Sequence, residues 1–300
     1  MSAASKIRSD LIYISDFLAA IRGWMARKGI LEVVTCPLRS GANNEPGIAS
    51  FFVDGKYTQG WLQSSPELAM KVLLSQQSGD IYQITSAFRD DPAGRWHQAC
   101  FTMLEWYRVG FDMQQLMQET SEFLTFFLDC PVITLHLVDA LQETFGIDHT
   151  TSDGAVRELC LKMGYDGIDL SRDDCLDFLE DRLISDHTAQ DTWLLVHHYP
   201  PSQCTLAQAD ALQSYRFEWF YNGIEVGHGY KELISQEQVR ERGEIWSQRR
   251  FELGLPVVTM DDAFLSCLDQ CPQMSGVAFG LDRLFAVING RDERFSIAQA

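Results

Sequence analysis

Ile81-Tyr-Gln-Ile-Thr-Ser-Ala-Phe-Arg89 and Phe101-Thr-Met-Leu-Glu-Trp-Tyr-Arg108 are two strand-like runs, rich in aromatic and aliphatic residues. Between them lies a polar loop, Asp90-Asp-Pro-Ala-Gly-Arg-Trp-His-Gln-Ala99. Such a pair reads as an antiparallel hairpin with a long connection. Strand alternation puts Phe101, Met103, Glu105 and Tyr107 on one face of the returning strand. A carboxylate among aromatic rings, with Arg89 nearby, makes a site for a polar, partly planar ligand or an internal Arg–Glu ion pair. The residues leave both open.

Upstream, Leu11, Ile14, Leu18, Ile21 and Met25 recur at helical spacing and predict a helix from about Asp10 to Lys28, with Gly29 as its C-terminal cap. A short strand over Ile30–Thr35 follows and stops near Pro37. Ser65-Pro66-Glu67 opens a second helix, with proline at its first position and Leu68, Val72 and Leu73 facing inward. Downstream, Asp112 caps a helix to about Leu128. The stretch 131–190 is helical in pattern, with Asp153 and Ser171 as N-caps, and Trp193–Tyr199 is strand-like. Helices follow near Gln236–Glu252 and Asp261–Leu268, then a strand–helix unit over Ser275–Ile288. Strands are interspersed with helices without regular βαβ alternation, so the class is α+β.

A second hairpin turns on Asn222-Gly223, the signature of a two-residue type I′ turn. That register pairs Tyr221 with Ile224, Phe220 with Glu225 and Trp219 with Val226. Glu218, Phe220, Glu225 and Gly227 then share a face, with the two acids as diagonal neighbours roughly 7–8 Å apart. They can clamp a hard divalent cation such as Mg²⁺, or simply face solvent. In Ser275-Gly-Val-Ala-Phe-Gly-Leu-Asp-Arg283, two glycines let backbone approach a ligand, and Arg283 can meet a phosphate. Cys267 and Cys271 read as core thiols.

The chain has 300 residues, 42 acidic and 24 basic, for a formal charge of −18. A polyanionic partner is disfavoured, because such binding is driven by clustered Lys and Arg. No apolar run approaches the ~20 residues of a membrane span, and Met1 to Asp10 lacks the apolar stretch of a secretory signal. Scattered cysteines in no metal-finger spacing suit reduced thiols. The expected location is cytoplasmic.

Taken together and in this order, these pieces resemble the motifs and metal-binding hairpin of class II aminoacyl-tRNA synthetases. More narrowly, Ser65-Pro66-Glu67, Gly94-Arg95-Trp96-His97, Phe101–Arg108 and Ser275–Arg283 resemble the elongation factor P lysine ligases, paralogues of lysyl-tRNA synthetase. The likeness spans Ile21 to Ile288. It implies a single catalytic domain over 1–300, an antiparallel sheet flanked by helices, with 131–190 as a helical insertion and no anticodon-binding domain. It further implies an ATP-dependent, AMP-forming ligase that activates lysine or β-lysine and transfers it to a lysine of elongation factor P.

By the same resemblance, Arg89 and Arg283 are the catalytic arginines. Arg89, Asp91, His97, Phe101, Glu218 and Arg283 bind ATP, with Phe101 stacking on adenine. Glu218 and Glu225 hold Mg²⁺. Ser65, Glu67, Glu105, Tyr107, Glu225, His228, Glu232 and Ala278 bind the amino acid. Ala278 stands where synthetases usually carry glycine, as it does in the ligases, where it goes with a preference for β-lysine. Asp91 replaces a family glutamate, Gln98-Ala99-Cys100 replaces Asn-Pro-Glu, and His228 replaces an asparagine. Motif 1 of the family forms a homodimer interface, which here falls on the N-terminal helix and Ile30–Pro37. Physical chemistry concurs on one point: a lysine-like dication needs buried carboxylates, and Glu67, Glu105 and Glu232 supply them. Two alternatives stand beside this reading. One is adenylation with another acceptor, a tRNA or a small molecule, although the −18 charge disfavours tRNA. The other is a synthetase-like binding module without catalysis.

Overall fold

The computed structural model describes residues 3–92, 94–167, 171–291 and 296–297. In chain order the elements are α1 (Ala3–Arg27), β1 (Leu31–Glu32), β2 (Leu38–Arg39), β3 (Phe52–Asp54), β4 (Gln59–Leu62) and α2 (Glu67–Ser75). Then come β5 (Ile81–Phe88), β6 (Cys100–Val109), α3 (Met113–Phe127), β7 (Val132–His136) and α4 (Leu137–Phe145). Next are α5 (Asp153–Lys162), α6 (Arg172–His187), β8 (Trp193–Tyr199), β9 (Ser214–Tyr221) and β10 (Ile224–Lys231). The chain continues with α7 (Gln236–Glu252), α8 (Asp262–Cys267), β11 (Met274–Gly280) and α9 (Leu281–Ile288). Among the described residues no helix is long and apolar enough to cross a membrane.

Contacts divide the chain into two compact units, Met1–Asp112 with Glu232–Ala300, and Met113–Lys231. In the first unit the strands order β1-β5-β6-β11. β5 and β6 are the antiparallel hairpin that their apolar runs predict, with Gln83 opposite Glu105 and Ile81 opposite Tyr107. β11 lies antiparallel on the other side of β6, and sets Ala278 opposite Glu105 and Gly276 opposite Tyr107. β1 joins the edge in parallel with β5. The strand expected over Ile30–Thr35 shrinks to these two residues, because Val33 and beyond run as irregular chain toward Pro37. A small sheet ordered β2-β4-β3 was not foreseen. Its strands are two to four residues long, too short for alternation to register.

Aromatic stacking fastens helices to this sheet. Trp106 of β6 stacks on Phe279 of β11 at 5.5 Å and meets Trp24 of α1 at 6.2 Å. On α2 the buried residues are Glu67, Leu68, Ala69, Met70, Lys71 and Leu74. The inward stripe is therefore rotated from the expected Leu68, Val72 and Leu73, and it carries charge. Met70 and Leu74 pack with Ile81, Tyr107, Cys267, Cys271 and Met274, so the two late cysteines are core residues.

In the second unit the strands order β10-β9-β8-β7. β8 and β9 are antiparallel, and β7 runs parallel to β8. Val132–His136 was expected to be helical. It is a strand because Val132, Ile133, Thr134 and Leu135 form an apolar, β-branched run too short to show a period. The amphipathic helices α4, α5 and α6 close a core of Leu, Val and Cys residues against β8. Ser171 caps α6 as expected, but Ser152, one residue before Asp153, caps α5.

Candidate active site

Glu67 enters at the first turn of α2, and Lys71 stands one turn later on the same face. Lys71 is fully buried, and its ammonium lies 2.7 Å from Glu67 and 2.6 Å from Glu232. Glu105 of β6 is 3% exposed; Tyr107 donates its hydroxyl to one Glu105 oxygen at 2.5 Å. The other Glu105 oxygen is buried without a hydrogen-bond partner among the described residues. Ala278 opposite and Gln83 alongside complete that row of the sheet. At Gly276 an added Cβ would collide with the Tyr107 ring and a Glu232 oxygen. Glycine is required there because two site residues already fill its space.

Two carboxylates thus grip one ammonium in the buried interior, with Glu105 as a further acidic neighbour. Burial pushes the Glu105 carboxyl well up, and the neighbouring Glu67 adds to it. Burial likewise raises Glu232, to about 8, against the pull of Lys71. Lys71 is opposed by burial, but Glu232 and Glu67 outweigh that and hold it protonated. The pocket carries more acid groups than cations and invites a second positive charge.

The residues expected to meet ATP phosphates lie in the same unit. Arg89 follows β5 and holds its guanidinium 5.4 Å from the Phe101 ring centroid, while its Nε donates to the Ser64 carbonyl at 3.4 Å. Arg283, in the first turn of α9, lies 3.0 Å from His97 and donates to the Trp96 carbonyl. Sequence-distant arginine and loop histidine are therefore neighbours. Asp91 is half-buried in the loop. Ser65 has a structural task, accepting the Glu67 amide at 3.2 Å, and α2 starts at Glu67 with Pro66 as its N-cap, one residue later than expected. Asp282 went unnoticed in the sequence. Its buried carboxylate accepts the Thr102 amide at 2.5 Å and the Ile297 amide at 2.7 Å, which fixes the start of β6 beside Phe101.

The second unit holds the acidic hairpin. Asn222 and Gly223 have φ of 47° and 76°, as a type I′ turn requires. Tyr221 pairs with Ile224 and Phe220 with Glu225, but Trp219 pairs with Gly227 and Glu218 with His228. A bulge at Val226 breaks the expected alternation, so Gly227 leaves the Glu218 face and His228 joins it. Ligand atoms of Glu218, Glu225 and His228 all lie within 4.8 Å of one another. Arg216 pairs with Glu218, and Tyr199 donates to it at 2.8 Å. Burial works against ionised Glu218, but Arg216 and then His228 outweigh it and lower its carboxyl. An ionised carboxylate beside a second acid and an imidazole suits a hard divalent cation.

Lys71 is a second residue that the sequence reading missed. Its signal was available: a lysine four residues after Glu67 on a helix, otherwise flanked by apolar residues.

Residues 2–294 match the family described as tRNA synthetases class II (D, K and N). The chain is also 34% identical over 296 residues to an elongation factor P–(R)-β-lysine ligase of Avibacterium paragallinarum, covering 93% of this chain and 91% of that protein. The ligase of Haemophilus influenzae strain PittGG is 34% identical over 93% of this chain and 90% of its own. That of Photorhabdus laumondii is 33% identical over 97% and 96%. With the α+β fold and these motifs in place, the chain belongs to the class II tRNA synthetase family and, within it, to the elongation factor P–(R)-β-lysine ligases.

Proposed function

We propose that this chain activates lysine or β-lysine with ATP and transfers it to a lysine side chain of elongation factor P. The observation that carries the substrate class is the buried pocket of Glu67, Glu105 and Glu232 around Lys71. Glu105, with one oxygen free of partners, receives the distal ammonium. Glu232 stands with Glu105 at the distal ammonium, Glu67 serves the other amine, and Tyr107 holds Glu105 in orientation. Ala278 opposite Glu105 narrows that end of the pocket; the choice between α- and β-lysine is made there.

Arg89 meets the α-phosphate and the amino-acid carboxylate, and Phe101 stacks on adenine, with Asp91 at its edge. His97 and Arg283 hold the distal phosphates. The amino-acid carboxylate attacks the α-phosphorus, the bond to the bridging oxygen breaks, and pyrophosphate leaves. Arg89 and Arg283 offset the charge that develops there. The ε-amine of the acceptor then attacks the adenylate carbonyl, AMP leaves with the electron pair, and the amine loses a proton. No side chain need act as nucleophile. Glu218 and Glu225, with His228 beside them, hold magnesium, which when bound neutralises phosphate charge. The working form is a cytoplasmic homodimer joined through α1 and 30–37.

Amino-acid-dependent exchange of pyrophosphate into ATP, over a panel with lysine, (R)-β-lysine and uncharged amino acids, tests the first step. Exchange confined to dicationic amino acids supports the assignment; exchange with uncharged ones, or none at all, overturns it. Transfer to elongation factor P rather than to tRNA tests the second.

A further inference from the structure

Three of the second unit's histidines that the reaction above does not use stand together. His136 ends β7 and His197 lies opposite it near the end of β8, as register partners. His198 follows directly, where β8 loses register between His197 and Tyr199 and the backbone of His198 turns to φ 58°. Successive side chains of a regular strand point to opposite faces. This bulge cancels the alternation and turns both imidazoles to one side, which is a common use of bulges at functional positions. The His136 ring stacks on His198 at 4.5 Å and stands edge-on to His197 at 5.1 Å. One nitrogen from each of the three lies within 4.8 Å of the others.

We propose that His136, His197 and His198 form a binding site for a divalent transition-metal ion, with zinc as the fitting occupant. Imidazole is a borderline-soft donor that favours zinc, copper or nickel over magnesium or calcium. The Nδ1 atoms of His197 and His198 are 2.6 Å apart, too close for both to carry protons. Two imidazoles on one zinc ion place their nitrogens roughly 3.3 Å apart, given Zn–N bonds of about 2.05 Å, so a small opening of the pair admits the ion. The Asp139 carboxylate lies 3.1 Å from His136 Nδ1. The two do not meet at hydrogen-bonding angles here; a turn of the His136 ring on metal binding would give Asp139 the role of an outer carboxylate that fixes a metal-bound histidine's tautomer. Asp139 also lines a cavity of about 480 Å³ in this unit, whose lining does not include the three histidines. All three histidines are half-buried rather than sealed. The fourth position is left to water, and the bound ion fastens the end of β7 to the end of β8.

The test uses the full chain, stripped with a chelator and titrated with zinc near neutral pH against a chromogenic competitor. Wild type should bind one equivalent that His198→Asn lacks; asparagine tolerates the same backbone conformation. His136→Gln should lose the same equivalent, and Asp139→Asn should weaken it by roughly 10- to 100-fold. Glu218→Gln should retain it, which separates this site from the acidic hairpin. Zinc should raise the melting temperature of wild type and leave that of His198→Asn unmoved. Equal zinc uptake by wild type, His198→Asn and His136→Gln would overturn the proposal, as would loss of the equivalent in Glu218→Gln alone.

Discussion

Glu105 has one oxygen held by Tyr107 and the other unclaimed, in an interior whose burial pushes its carboxyl well up. Glu105→Gln copies the neutral acid in shape and hydrogen bonding, so the ligand-free protein should keep its melting temperature. Activation of a dicationic amino acid should lose about 2–4 kcal/mol of transition-state binding, roughly 30- to 1,000-fold in kcat/KM, with ATP affinity unchanged. Unchanged activation would make Glu105 a merely structural acid. The raised carboxyls also set a pH dependence. Unfolded, these glutamates ionise near the ordinary 4.5; folded, Glu232 does so only near 8 and Glu105 stays well above its usual value. The folded chain holds more protons across that interval, so ligand-free stability should fall as pH rises from about 4.5 to about 8. A cationic amino acid draws those protons off. Calorimetry at pH 7 in two buffers of different ionisation enthalpy should therefore register proton release on binding, and equal heats would contradict the proton count. All three carboxylates were legible as charge-bearing residues in the sequence. Lys71, their internal counterion, was passed over despite its spacing from Glu67, because a lysine on an exposed helix face is the usual case.

At the scale of elements, the two hairpins show how far pattern reading extends. The long hairpin was readable because two apolar runs flank an unambiguous polar loop, and its strands begin and end within a residue of expectation. The short hairpin was readable at its turn and misread beyond it. Asn-Gly fixes the first two pairs, but nothing in Glu225-Val226-Gly227-His228 announces a bulge, since a buried valine suits a bulged position as well as a regular one. His228 therefore reaches the acidic pair by a route that alternation forbids. The turn itself is testable. Asn222 holds φ 47° and accepts the Asp191 amide at 2.9 Å. Asn222→Ala should lose that bond and strain the left-handed backbone, costing about 1–2 kcal/mol and lowering the urea midpoint of unfolding. An unmoved midpoint would show that the turn contributes nothing to holding Glu218 opposite His228.

At the scale of the molecule, α1 and the segment after it expose Leu11, Ile12, Tyr13, Leu31 and Val34. Apolar residues concentrated along one such stretch mark an association surface. Sedimentation should find a dimer at micromolar concentration, and Ile12→Glu should dissociate it; a monomeric wild type would remove this segment from consideration. The acidic whole, at −18, disfavours a nucleic-acid acceptor by long-range repulsion before any contact is made. A further consequence lies in the Asp282 carboxylate, one oxygen of which takes the amide of Thr102 and the other that of Ile297. Two amide protons 195 residues apart in sequence hang from one side chain. In deuterium they should exchange in step, slowly while the clasp is shut and together when it opens. The last described residues of the chain thereby act as a clock for the strand whose start carries Phe101.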